Sequence, residues 1–355
     1  MRNPLKLKLK LKLKLKLKSP IKTFCAALRI FALLLLLSCC LSTALFAQSA
    51  ANPGVVEVDD PTRYSQVLAM SDAHGMFDHL TTLLRATKVI DTDNHWIGGK
   101  RLLVVCGDSI DKGPNSLGVL HLWMHLTKEA QSSGGRVIIL LGNHEAEFLS
   151  DPTAKKSAIF RNELTKANLV PAEVASGKDA EGIGNFLRSL PIAARVGKYL
   201  LAHAGWYPAQ TTWEDFKQKA HTLLEAGNYA DEFVTGKHSI LEEKDEVPTG
   251  GTTPIKWYDD PGSVRSLEAR LTALHLYGVV MGHQPKAFEF TGKIGAVDSL
   301  HIIKVDTGMA PDAENSAGEL LCFKHPAQLI QLAAPDAERL LADGTHAAIE
   351  TKTTP

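Results

Sequence analysis

Short runs of apolar residues punctuate the chain from Arg63 onward, and several end in polar or glycine-rich turns. They are YSQVLAM (64–70), RLLVVC (101–106), RVIILL (136–141), KYLLA (198–202), YGVVM (277–281) and HIIKV (301–305). Each is short and rich in Val, Ile and Leu, a pattern that predicts strands buried on both faces. Between the early runs the spacing turns helical, over Met76–Ala86 and Ser116–Gln131, so the first third reads β-α-β-α-β. That order predicts an α/β domain built in layers. The polar, helix-prone stretch 151–184 and the charged stretch 237–251 read as insertions over the sheet. The body carries no internal repeat.

The residues after each run carry the chemistry. Ser71-Asp72-Ala73-His74-Gly75 follows the first, and Gly107-Asp108-Ser109-Ile110-Asp111-Lys112-Gly113-Pro114 the second. Gly142-Asn143-His144-Glu145, His203-Ala204-Gly205 and Gly282-His283-Gln284-Pro285 follow the next three. Ligands of open α/β sheets bind outside the carboxyl ends of the strands, so these five turns are expected at one rim. Asp and Asn oxygens mixed with imidazoles suit Mn, Fe or Zn, and the lack of Cys argues against a structural zinc. Six candidate ligands (Asp72, His74, Asp108, Asn143, His203 and His283) over-supply one ion. Two ions sharing a carboxylate fit the count and serve hydrolysis or phosphoryl transfer.

Composition changes the picture chiefly through where the charges lie. The 355 residues hold 39 cations and 39 acids, but residues 1–47 contain ten of the cations and no acid. The body is therefore acidic, with a net charge of −10, which argues against a nucleic-acid surface. The Lys-Leu tract up to Lys18, the uncharged run Ile30–Ala47 and the small residues after it have the layout of a signal peptide. Residues 1–50 are expected to direct export to the periplasm or beyond, with a mature start near Gln48 to Asn52. An uncleaved anchor and a lipidated Cys39 remain open, so membrane contact is expected only through this segment. The folded domain is placed at 60–335 and a tail at 336–355. Cys106 and Cys322 sit in apolar runs and are expected as buried free thiols.

The five turns in order resemble the calcineurin-like metallophosphoesterases, within them the phosphoprotein phosphatases, whose motifs run GDxHG, GDxxDRG, GNHE, HGG and GH. The text between the motifs, such as GGRVIILLGNHEAEFL and PIAARVGKYLLAHAGW, is most similar to the Shewanella-like protein phosphatases of bacteria. The likeness spans roughly Tyr64 to Thr307. It implies a four-layer α/β/β/α sandwich with two divalent or trivalent ions. Asp72 and His74 would hold the first ion and Asn143, His203 and His283 the second, with Asp108 shared. A bridging water or hydroxide would attack phosphorus in line. His144 would protonate the leaving oxygen, oriented by Asp111.

Three departures stand out. Ser71 replaces the first glycine of GDxHG and Ala204 a glycine of HGG, both small changes. Lys112 replaces the arginine of GDxxDRG, so a phosphate contact loses its planar fork. The family's second phosphate arginine has no match after Trp257-Tyr258, and Arg265 is the nearest arginine downstream. The implied activity is hydrolysis of phosphomonoesters, on phosphoproteins at Ser/Thr or Tyr. Alternatives are an enzyme for small phosphate esters or nucleotides, and a catalytically weak phosphate-binding protein. His121 and His125, four apart on a helix, read as an ordinary helix face. Asp306 is a candidate for a supporting role.

Overall fold

The structure is a computed structural model and describes residues 52–205, 212–244, 246–247, 255–297 and 301–354. The early strands are β1 (Val55–Val58), β2 (Val67–Met70), β3 (Leu102–Val105), β4 (Arg136–Ile139), β5 (Ala193–Val196) and β6 (Tyr199–Ala202). A short pair, β7 (Glu246–Val247) and β8 (Ile255–Lys256), precedes β9 (Gly278–Met281), β10 (Gly295–Val297) and β11 (Ile302–Lys304). Last come β12 (Glu319–Phe323), β13 (Ala337–Leu341), β14 (His346–Ala348) and β15 (Glu350–Lys352). Among the described residues they form one sheet ordered β1-β5-β6-β9-β11-β10-β15 and a second ordered β14-β13-β12-β2-β3-β4.

Side chains alternate between the two faces of a strand, and here both faces are apolar. Val67 and Ala69 of β2 cluster with Leu102 and Val104 of β3, Ala194 and Val196 of β5, and Val280 of β9. These residues come from both sheets and fill the space between them. Leu68, Met70, Leu103 and Val105 belong instead with Leu80, Leu83 and Leu84 of the helix Phe77–Ala86 and with Val119, Leu120 and Trp123 of the helix Ser116–Ser132. Across the molecule, Leu200, Ala202, Val279 and Met281 join Phe216 of the helix Trp213–Glu225. Helix, sheet, sheet and helix are the four expected layers.

Both expected helices form, and the second begins where the Asn115 side chain accepts the N–H of Gly118 at 2.8 Å. The stretch 151–184 folds as helices Ala158–Lys166, Pro171–Ala175 and Ile183 onward. Cys106 and Cys322 are free and buried. The expectation of a C-terminal tail at 336–355 does not hold. β13 and β14 extend one sheet, and β15 pairs with β10 in the other. In β13 only Leu340 is buried, so no apolar run marked the strand; its place is held by pairing with β12 and by Arg339 Nη1 at 3.0 Å from Glu319 Oε1. The leader lies outside the described residues, among which no helix is long and apolar enough to cross a membrane.

Candidate metal centre

The parallel strands β2, β3 and β4 end at one edge of their sheet, and the parallel neighbours β6 and β9 end at the matching edge of the other. The turns beyond them bring all six sequence-predicted ligands together. Asp108 is central: its Oδ2 lies 3.4 Å from His74 Nε2 and 3.4 Å from His203 Nε2. Asp72 Oδ1 lies 3.6 Å from His74 Nε2. His203 Nε2 is also 3.2 Å from Asn143 Oδ1 and 3.1 Å from His283 Nδ1. The N–H of His283 donates to Asp72 Oδ2 at 3.0 Å and so ties the rim of one sheet to the other.

The backbone bends hard to achieve this. Asp72, His74, Asp108, Asp111, Lys112 and His283 all have φ between 42° and 66°. That left-handed region costs a non-glycine residue about 1–3 kcal/mol and persists only where the surroundings over-determine it. Gly107, at φ 86°, permits a close approach that a side chain would block: a Cβ there would lie 2.6 Å from Gly142 Cα and 3.0 Å from His203 Nδ1. A residue the sequence reading left without a role supplies the constraint. The fully buried Glu145 carboxylate accepts four backbone N–H groups, from Asp108 (2.9 Å), Ser109 (2.7 Å), Ile110 (3.1 Å) and Gly142 (2.9 Å). It clamps the turn that carries Asp108 to the start of the helix Asn143–Ser150.

The imidazoles are oriented as ligands. His74 donates from Nδ1 to the carbonyl of Ile110 at 3.0 Å, and His203 from Nδ1 to that of Cys106 at 2.8 Å. In both, Nε2 carries the lone pair and lies beside Asp108, in His74 with Lys112 Nζ also close to it, and such outer hydrogen bonds fix the tautomer of metal-binding histidines. Asn143 is oriented too, its Nδ2 donating to Glu242 Oε1 at 2.9 Å and turning Oδ1 toward His203.

Burial pushes the Asp72 carboxyl well above its ordinary range, with Asp306 beside it, and does the same to Asp108, with Glu145 and Asp72 adding like charge. Burial drives His74 and His203 well below theirs and holds His283 at about 4. Unprotonated imidazoles packed on carboxylates in a dry setting fit divalent cations, which need both groups in their basic forms. Two groups of donors converge within 4.8 Å, Asp72-Asp108-His203 and His74-Asp108-His144, and they share Asp108.

Beside the ligands, His144 Nδ1 lies 3.2 Å from Asp111 Oδ2, and Asp111 Oδ1 accepts the N–H of Phe160 at 2.9 Å. Burial lowers His144, and the bond to Asp111 pulls it back up. Lys112 points inward, with Nζ 2.9 Å from His74 Nε2. The structure does not join Arg265 to the cluster: it stands exposed on the helix Pro261–Ala273, and no hydrogen bond or ion pair connects it to a ligand. A second cation at the site comes instead from Lys156, within the polar insertion. Its Nζ lies 2.6 Å from Glu147 Oε1 and 3.5 Å from Glu242 Oε1, and its charge bears on Asp108, His144 and His283. Asp306 is buried next to Asp72, and burial raises it to about 6.

Fold and cluster together define a metal-dependent phosphoester hydrolase. The chain belongs to the calcineurin-like phosphoesterase family, whose profile matches residues 65–287, and this family binds two divalent metals. Over 260 residues it is 38% identical to an uncharacterized protein of Schizosaccharomyces pombe, a match covering 68% of this chain and 73% of that one. It is 38% identical over 80 residues to Shewanella-like protein phosphatase 1 of Plasmodium berghei, covering 22% of each chain. A symmetrical bis(5'-nucleosyl)-tetraphosphatase of Baumannia cicadellinicola is 31% identical over 180 residues, 49% of this chain and 53% of that one. Among solved structures, a cold-active protein-tyrosine phosphatase of a psychrophilic Shewanella has a TM-score of 0.65 at 24% identity, over 85% of this chain and 84% of that one. That likeness is one of fold.

Proposed function

We propose that the protein is an exported phosphoprotein phosphatase. The observation that carries the chemistry is the approach of His74 Nε2 and His203 Nε2 to Asp108 Oδ2, with Asp72 beside His74, Asn143 and His283 beside His203, and the His144–Asp111 pair alongside. The preference for phosphoproteins is supported by the likeness to the Plasmodium berghei Shewanella-like phosphatase. In this reading Asp72, His74 and Asp108 hold one ion, and Asp108, Asn143, His203 and His283 the other. Bound there, two divalent ions of Mn, Fe or Zn type supply Lewis acidity toward phosphoryl oxygens and lower the pKa of water.

The chain's own residues do the rest. Glu145 keeps Asp108 in register, and Ile110 and Cys106 keep two imidazoles facing inward. Lys112 and Lys156 offer ammonium groups to the phosphate, each a point charge where a guanidinium would grip two oxygens. His144 carries the proton for the departing oxygen at its ring, and Asp111 favours the protonated form.

The likeness to a tetraphosphatase favours a second reading, hydrolysis of nucleotide phosphoanhydrides. Purified protein with added Mn is assayed against phosphoserine, phosphothreonine and phosphotyrosine peptides and against diadenosine tetraphosphate. The first reading expects kcat/KM at least about tenfold higher on a phosphopeptide; faster turnover of the dinucleotide overturns it. Export rests on the cationic leader and the run Ile30–Ala47. Mass spectrometry of the protein from its host tests it: a start near Gln48 to Asn52 or at a lipidated Cys39 supports export, and an intact leader on cytosolic protein refutes it.

A further inference from the structure

Away from the rim, three donors from distant parts of the chain meet at the surface. His95 Nδ1 lies 2.7 Å from Glu129 Oε1, His125 Nε2 lies 3.0 Å from the same oxygen, and the two nitrogens are 3.2 Å apart. His125 and Glu129 are one turn apart on the helix Ser116–Ser132, and His95 ends a tight turn before β3.

Hydrogen bonds alone cannot satisfy this triangle. If both nitrogens carry protons toward Glu129, they meet each other as two donors. If one gives up its proton to accept from the other, its lone pair faces the carboxylate oxygen. One contact is frustrated either way, whereas a cation in the middle satisfies all three. Zinc bonds of about 2.0–2.2 Å to nitrogen and oxygen set tetrahedral ligands about 3.4 Å apart; the observed edges of 2.7, 3.0 and 3.2 Å are shorter by about 0.2–0.7 Å, an opening that small side-chain rotations supply.

The triangle is also built in advance. Asp91 Oδ1 accepts the N–H groups of Asp93 (2.9 Å) and His95 (2.8 Å), fixing the turn. The N–H of Trp96 donates to Glu129 Oε2 at 2.7 Å, which aims Oε1 at the imidazoles. All three side chains are reachable, with relative exposures of 55% for His95, 47% for His125 and 30% for Glu129.

We propose that His95, His125 and Glu129 form a further metal site, separate from the dinuclear centre, which takes a borderline divalent ion such as Zn²⁺ and leaves a coordination position open to solvent. Two imidazoles with one carboxylate suit zinc, nickel or copper better than magnesium or calcium. An ion there pins the turn before β3 to the helix after it, and Asp108 follows β3 in the chain.

The test counts zinc. Chelator-treated protein is equilibrated with Zn²⁺ at neutral pH, freed of excess ion and analysed by plasma mass spectrometry beside His125→Ala, His95→Ala and Glu129→Gln. Each variant is expected to lose one zinc per chain relative to wild type. Cobalt substitution is expected to give a wild-type-minus-His125→Ala difference spectrum with tetrahedral d–d bands. Turnover of para-nitrophenyl phosphate should be unchanged in His125→Ala. Because the readout is a difference between chains sharing one dinuclear centre, it stands whatever that centre binds. Equal zinc content in wild type and His125→Ala overturns the proposal.

Discussion

Glu145 offers the sharpest test of how the centre is held. In Glu145→Gln one carboxylate oxygen becomes an amide donor. Each oxygen of Glu145 serves two backbone N–H groups, so whichever way the amide turns, two buried donors face a third. An unpaired buried donor costs about 1–3 kcal/mol, which puts the loss at about 2–6 kcal/mol. A domain stable by about 5–15 kcal/mol tolerates this only in part. Metal binding feels two opposed effects. Removing the negative charge of Glu145 eases ionisation of Asp108, whose carboxyl is raised by burial and then by Glu145. Releasing the turn, however, frees the oxygen shared by both ligand groups, and loss of an orienting partner costs about 10- to 100-fold in metal affinity. Position should win, because a bound ion secures ionisation by itself. Urea unfolding at fixed Mn, with metal content by plasma mass spectrometry, measures both. A variant within about 0.5 kcal/mol of wild type with full metal would refute the clamp.

His144→Asn should lower kcat about 100-fold or more with metal content retained; loss of both ions would make His144 a ligand. Since the bond to Asp111 raises the His144 pKa and burial lowers it, Asp111→Asn should move the alkaline limb of the kcat profile to lower pH, because the proton-bearing imidazole is lost sooner. An unmoved limb would assign that limb to another group. Lys112→Ala should lower kcat/KM about ten- to a hundredfold while Lys112→Arg retains most of it; equal activity of the Ala variant and wild type would exclude a phosphate contact. Lys156→Ala should raise KM for a phosphopeptide about tenfold and Arg265→Ala should leave it alone, with the reverse pattern restoring Arg265 to the site.

The metal ligands were legible because each sits in the turn directly after an apolar run, where sequence neighbourhood and spatial position coincide. What remained hidden depends on contacts between distant segments. Arg265 is near Trp257-Tyr258 in sequence only, whereas the cation that reaches the cluster, Lys156, comes from a polar insertion about a hundred residues earlier. Glu145 lies inside the GNHE motif, yet its work is on backbone N–H groups, which leave no trace in residue types. His125 read as an ordinary helix face with His121 as its nearest imidazole. His121 in fact faces Glu181 at 3.3 Å, and the partner of His125 is His95, thirty positions upstream. The layered fold followed from the doubly apolar strands. The strands β13 to β15 did not, because they join by pairing rather than by burial.

The pairing of β2 bears on how the chain is made. β2, β3 and β4 and the helices between them are contiguous in sequence and can assemble early, but the other side of β2 is completed only by β12, with Ala69 opposite Leu321. At a synthesis rate of about 5–20 residues per second, some 250 intervening residues leave the apolar edge of β2 open for roughly 12–50 seconds. During that interval it offers unpaired N–H and carbonyl groups to any other strand. Until its final strands arrive, a nascent chain of this topology therefore exposes an edge prone to pairing with other chains.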